Sequence, residues 1–173
     1  HIGASSMWAH QFAKSLATSE QLGLERFATM QNHYNLAYRE EEREMLPLCS
    51  REGIGVLPWS PLAAGFLTRP HDEQEATERG RTDEHKRGRA YRAGAGETIN
   101  ERVAELAREK GVSMAQLSIA WLLHKDDVTA PIVGTTSVEH LEAAVEALSI
   151  SLHESDLEYL ESAYVARPVS GHQ

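Results

Sequence analysis

The feature that most constrains this chain is the alternation of short apolar runs with amphipathic helical patterns. Phe27–Gln31 is a short apolar run bounded by polar residues, and Gly55–Trp59 and Ala130–Val133 behave the same way. Each reads as a strand. Between them lie helical spacings: Trp8, Phe12 and Leu16 recur four apart over about residues 7–19, which places them on one helix face. A strand followed by a helix, repeated three times, implies parallel strands joined by crossover helices. Alternation alone leaves two architectures open, a closed barrel and an open doubly wound sheet.

Local signals refine the helices. Residues 40–51 begin with Glu40, Glu41 and Glu42 and stop at Gly53. Acidic residues favour the positive end of a helix, and glycine favours its C-terminal stop. Pro47 marks either a kink or the true first turn. A helix over about 97–110 carries Ile99, Val103 and Leu106 on one face and ends at Gly111. Ser113 and Gln116 have the form of a capping box, opening a helix so apolar (Leu117, Ile119, Ala120, Trp121, Leu122, Leu123) that burial is expected. Thr136 and Glu139 suggest a second box, with Val138, Leu141, Val145 and Leu148 as the apolar stripe of its helix. A last helix is expected near 155–163, then an irregular tail after Tyr164. Residues 68–96, rich in charge and glycine, form a long surface excursion, a length usually tied to function or mobility. Ile2 reads as the last residue of a strand whose body lies upstream, so the 173 residues read as part of a longer protein.

Composition removes some functions. A net charge of −9 with 41% hydrophobic residues suits a globular protein and argues against a general nucleic-acid binder, which needs a basic face. No apolar run approaches the roughly 20 residues of a membrane helix. Neither a signal-peptide pattern nor an internal repeat is visible. The single Cys49 cannot form an intrachain disulfide, which points to the cytoplasm, and its apolar surroundings mark it as a small core residue. The nine histidines show no metal-ligand spacing, so a zinc site is not expected.

Chemistry should gather at the strand C-termini. Four such ends are visible: Gly3–Ser6, Gln31–Asn32, Trp59–Leu62 and Gly134–Thr136. A Gly-Thr-Thr turn feeding a capped helix can present free N–H groups to a phosphate, with His140 one turn further on. Alternatively, Thr136 is only an N-cap and His140 a solvated residue. Trp59 can stack on a flat ring or serve as core. Gln31 can bond an amide or be satisfied internally. The Asn32-His33-Tyr34-Asn35 cluster hints at acid–base work but lacks an evident orienting carboxylate or lysine. Gly94-Ala95-Gly96 follows a polar loop rather than a strand and makes a poor dinucleotide fingerprint.

Taken in order, I-G-A-S-S-M-W-A-H-Q-F-A (2–13), M-Q-N-H-Y-N-L-A-Y-R-E-E-E-R-E-M-L-P-L-C (30–49), G-V-L-P-W-S-P-L-A-A-G-F-L-T (55–68) and A-P-I-V-G-T-T-S-V-E-H-L (130–141) resemble the aldo-keto reductase family, in particular bacterial members similar to potassium-channel β subunits. The resemblance spans nearly the whole chain. It implies the C-terminal part of a (β/α)8 TIM barrel, incomplete here, that binds NADPH (NADH possible) and reduces a small aldehyde or ketone. By the same resemblance, Ser5 and Ser6 match the pair that holds the nicotinamide carboxamide, with Ser6 in place of the usual Asn, and Gln31 is their partner. Trp59 takes the place of the aromatic under the nicotinamide. Ser60, Pro61, Leu62 and Gly65 match the loop along the pyrophosphate, with Arg69 a phosphate contact beyond it. Gly134, Thr136 and His140 match the segment at the adenosine end, where His140 stands near a usual Gln. Ala143 and Ala144 replace residues that grip the adenine in many members, and Thr135 replaces a basic one. The family's catalytic Asp, Tyr, Lys and His fall upstream of Ser5, so the chain alone is expected to be inactive. A barrel lacking half its strands is also expected to leave two open edges and an apolar inner face. The alternative function is a non-catalytic module that senses a nicotinamide nucleotide or binds a partner.

Overall fold

Three parallel strands, β1 (Ile2–Ser5), β2 (Phe27–Gln31) and β3 (Gly55–Val56), lie side by side in chain order in a computed structural model that describes residues 1–76 and 90–170. Parallel neighbours need crossovers. Helix α1 (Ala9–Leu22) makes the first, and α2 (Met45–Glu52) the second. Strand β1 begins at Ile2 rather than ending there, so four strand residues are present. Gly3 pairs with Thr29, and Thr29 with Gly55. A Cβ on Gly3 would come within 2.4 Å of the Thr29 hydroxyl, and one on Gly55 within 3.2 Å of the Thr129 hydroxyl. These four residues therefore share one face, and it is small and polar rather than the apolar surface expected. The opposite face carries the buried Ala4, Met30 and Val56.

The third expected strand is shorter than Gly55–Trp59, and the fourth does not form. Pro58 and Pro131 have no N–H to give to a ladder. Pairing nonetheless continues beyond the regular strands: Leu57 N donates to Met30 O, Trp59 N to Asn32 O, Thr129 N to Val56 O and Ile132 N to Pro58 O, all at 2.8–2.9 Å. Residues 128–132 thus run beside β3 as a broken fourth element. Among the described residues, β1 pairs only with β2, so that edge is open.

Helices α3 (Gly96–Lys110), α4 (Met114–Leu123), α5 (Val138–Glu146) and α6 (Glu154–Glu161) complete the regular elements described. In α4, Ser113 Oγ accepts from Gln116 N at 3.1 Å and Gln116 Oε1 accepts from Ser113 N at 2.8 Å, which is the reciprocal capping box. Leu117, Ala120, Trp121 and Leu122 are fully buried, and Ile99, Val103 and Leu106 of α3 close over them. Each of the leucine, isoleucine and valine side chains among them contributes on the order of 1.5–3 kcal/mol. Gly23, Gly53 and Gly111 end their helices at φ of 63–68°, where glycine alone is unstrained. Pro47 sits in the first turn of α2, where no N–H is needed. Cys49 is buried, and burial pushes its thiol up to about 12.

Two readings of the helices change as well. The apolar stripe of α5 and the 3-10 turn that follows it (Ala147–Ser149) does not reach a core: Val138, Leu141, Val145 and Leu148 are 51–69% exposed. Glu40–Glu42 form a separate 3-10 turn ahead of α2, and their carboxylates serve tertiary contacts, not a helix dipole. Glu40 Oε1 accepts from Tyr164 Oη (2.8 Å) and Arg167 N (2.7 Å), and its Oε2 from Arg43 (2.7 Å). Burial opposes ionisation of Glu40, but these donors outweigh it and hold the carboxyl below its ordinary value. The tail is irregular, as expected, yet anchored. Part of the 68–96 excursion, residues 77–89, lies outside the described residues; Ala63–Thr68 and His71–Ala76 form 3-10 turns.

Candidate cofactor site

The ends of β1, β2 and β3 meet around Trp59. Ser5 Oγ and Ser6 N both donate to Gln31 O at 3.0 Å, which ties the first two strand ends together. Trp59 Nε1 donates to Ser6 Oγ at 3.0 Å, tying in the third. Under the indole lies the imidazole of His33, 4.2 Å between centroids and 12° from parallel, and beyond it Tyr38 at 3.9 Å and 10°. His33 and Tyr38 are buried, whereas Trp59 is half-buried at the end of this three-ring stack. Ser5 and Gln31 are exposed beside it. The arrangement offers a flat ring flanked by hydroxyl and amide groups, which suits a planar heterocycle bearing a carboxamide.

The loop after Trp59 is strained. Ser60, Ala63 and Ala64 have φ of 53°, 50° and 55°, and Gly65 has 92°. Non-glycine residues seldom adopt such angles, and they persist where surrounding structure enforces them, often at ligand clamps. Here Asn35 Nδ2 holds Ser60 O at 2.9 Å. Buried Asn100, from α3, holds Phe66 O at 2.6 Å and Arg69 O at 3.0 Å. Pro61 is buried, Leu62 and Gly65 are half-buried, and Arg69 is half-buried at the loop's far end. The loop is therefore a fixed shelf.

The chain belongs to the aldo/keto reductase family. The family's model matches residues 1–165. A Schizosaccharomyces pombe protein named putative aryl-alcohol dehydrogenase C750.01 is 47% identical over 99% of this chain and 52% of its own length. The aldo-keto reductase AMT2 of Alternaria alternata is 42% identical over 99% of the chain and 46% of its own. The versiconal hemiacetal acetate reductase of Aspergillus parasiticus is 40% identical over 98% and 49%. The chain spans about half the length of the curated relatives it matches.

The fourth strand end is arranged differently. Gly134, Thr135, Thr136 and His140 are all exposed. The cap of α5 is Ser137, not Thr136: its Oγ accepts from His140 N at 3.3 Å. Thr135 Oγ1 in turn accepts from Ser137 N and donates to Ser137 O. These local bonds use up N–H groups that an anion would need. Ile132 N on Pro58 O at 2.8 Å still brings this turn to the same end of the sheet as Trp59.

Neither candidate acid–base residue of the 32–35 cluster is presented to this shelf. Tyr34 Oη donates to Glu42 at 2.6 Å in a buried setting, and burial together with the Glu42 charge raises its ionisation well above the ordinary tyrosine value. His33 is enclosed in the ring stack and bonded to Tyr91 Oη at 2.6 Å. Sequence reading missed His33, Asn35, Tyr91 and Asn100 as builders of the site. His33 and Asn35 stand out in sequence as a polar cluster that suggests acid–base work, not ring support, and Asn100 as a polar residue next to Ile99 on the buried stripe of α3; Tyr91 left no local signal.

Proposed function

We propose that this chain is the cofactor-holding part of a (β/α)8-barrel oxidoreductase. In the complete protein it works with NADPH, with NADH also accepted, to reduce an aldehyde or ketone to the alcohol. The observation that carries this reading is the half-open indole of Trp59, fixed between Ser6 and His33 and flanked by exposed Ser5 and Gln31. Trp59 stacks under the nicotinamide, while Ser5, Ser6 and Gln31 orient the carboxamide and so fix which ring face is turned to substrate. Ser60, Pro61, Leu62 and Gly65 lie along the pyrophosphate, with Arg69 beyond. Gly134, Thr136 and His140 border the adenosine end. The bound nicotinamide supplies a hydride; the protein supplies its position. The open edge of β1 and the exposed stripe of α5 are where the remaining strands and helices complete the barrel. The single Cys49, buried as a free thiol, fits a reducing compartment, and we place the protein in the cytoplasm.

Titration with NADPH tests the reading. Binding should quench tryptophan fluorescence, and Trp59→Ala should weaken it roughly tenfold, the scale of 1.4 kcal/mol. Equal affinity in the variant would remove Trp59 from the site. A second reading, a nucleotide-sensing module, draws on the engagement of Tyr34 and His33, which leaves this chain able to bind without itself moving a proton. Both readings expect the chain alone to leave an aldehyde unreduced, and steady NADPH consumption by it would contradict them.

A further inference from the structure

His33 is a buried imidazole with an unusual set of neighbours. Its faces meet Tyr38 and Trp59 almost in parallel. Its Nε2 lies 2.6 Å from Tyr91 Oη and 3.4 Å from Asn35 Nδ2. Asn35 also holds Ser60 O, the first left-handed residue of the strained loop. Tyr91 stacks on Phe66 at 6.4 Å, within that loop, and Arg167 of the tail lies over its ring at 5.9 Å. One imidazole therefore joins the ring platform, the loop and the far end of the long excursion.

We propose that His33 is a positioning residue: it sets the plane of the Trp59 indole, and through Tyr91 and Asn35 it keeps that plane in register with the Ser60–Gly65 loop. An indole pinned only at Nε1 by Ser6 can still rock about that bond. A parallel ring within 4.2 Å stops the rocking before a ligand arrives. Ordering one rotamer-rich side chain on binding weakens affinity by roughly three- to tenfold, and preorganisation removes that loss. The geometry also explains why a histidine stands here. A phenyl ring would fill the stack but could not bond Tyr91, and an aliphatic side chain would supply neither. In its consequence for a cofactor the inference rests on the nucleotide reading above. In its claim about the ring plane it does not.

The test compares His33→Leu, His33→Phe and Tyr91→Phe in the full chain, each with and without Trp59→Phe. The near-ultraviolet circular dichroism lost on Trp59→Phe isolates the Trp59 signal without any ligand. His33→Leu should erase most of that signal and weaken NADPH binding by roughly three- to tenfold. His33→Phe should restore the signal and most of the affinity. Tyr91→Phe should preserve the signal and weaken binding by less. If His33→Leu refolds poorly, Tyr91→Phe and His33→Phe still decide, since a Trp59 signal lost in His33→Phe overturns the stacking role. An unchanged Trp59 signal in His33→Leu overturns the inference outright. If the signal follows the prediction but the parent chain binds no NADPH, the nucleotide reading fails and the role of His33 stands.

Discussion

At one end of the strand-end shelf, Trp59 rests on two buried rings, is pinned through Ser6, and leads into a loop held by Asn35 and Asn100. At the other end, Gly134, Thr135, Thr136 and His140 stand in solvent, and the start of α5 is capped by its own Ser137 with help from Thr135. The first end draws its geometry from residues tens of positions apart. The second draws it from residues two and three apart. Long-range support fixes a ring to a plane before any ligand is present, while local support fixes only a turn. On the function proposed above, an extended dinucleotide would meet a ready-made seat for its nicotinamide and a compliant one for its adenosine.

The largest expected effect comes from undermining the rigid end. Trp121 is fully buried against Tyr34, lies beneath Arg39, and donates to Glu161 at 2.9 Å. Trp121→Ala should lower unfolding free energy by about 3–5 kcal/mol, whereas Leu141→Ala on the exposed stripe of α5 should stay within about 0.5 kcal/mol. Urea denaturation measures both, and similar losses would erase the contrast.

Glu40 links the same region to the tail. Glu40→Gln should cost about 1–3 kcal/mol near neutral pH. The pH dependence follows from the sign of the shift. The Glu40 carboxyl is held below its ordinary value, as is that of Glu161, where burial is outweighed by Lys125, Trp121 and Arg39. Their stabilisation is therefore complete above the unfolded carboxylate pKa of about 4.3 and is lost as pH falls through the lower folded values. Parent and Glu40→Gln stabilities should converge on acidification. Parallel curves would mean that the tail contacts do not depend on the charge of Glu40.

At the compliant end the effects are smaller. Ser137→Ala should cost about 1 kcal/mol as a lost N-cap, and Thr136→Ala close to nothing. The reverse order would restore the cap to Thr136.

This contrast also explains what the sequence revealed. Phe27–Gln31 and the Ser113–Gln116 box were legible because strand boundaries and caps are written in adjacent residues. Three features were not. Ala130–Val133 looks like a strand by composition, but Pro131 interrupts its ladder. The Glu40–Glu42 cluster looks like a helix start, and only the tail, more than 120 residues on, shows what the carboxylates bind. Trp59 is marked by its strand-end position and by the family resemblance, yet the His33 and Tyr91 that support it come from elsewhere in the chain, one of them from the far end of the long excursion. Local chemistry shows itself in sequence; a platform assembled from distant residues does not.

The most direct test offers the two halves of the cofactor separately and maps amide and indole N–H resonances by NMR. Nicotinamide mononucleotide should shift the Trp59 Nε1 resonance together with the Ser6 and Gln31 amides, while leaving Gly134 to His140 unmoved. The adenosine 2′-phosphate half should do the opposite. Nicotinamide mononucleotide that binds with Trp59 Nε1 unmoved, or that shifts the start of α5 instead, would contradict the account.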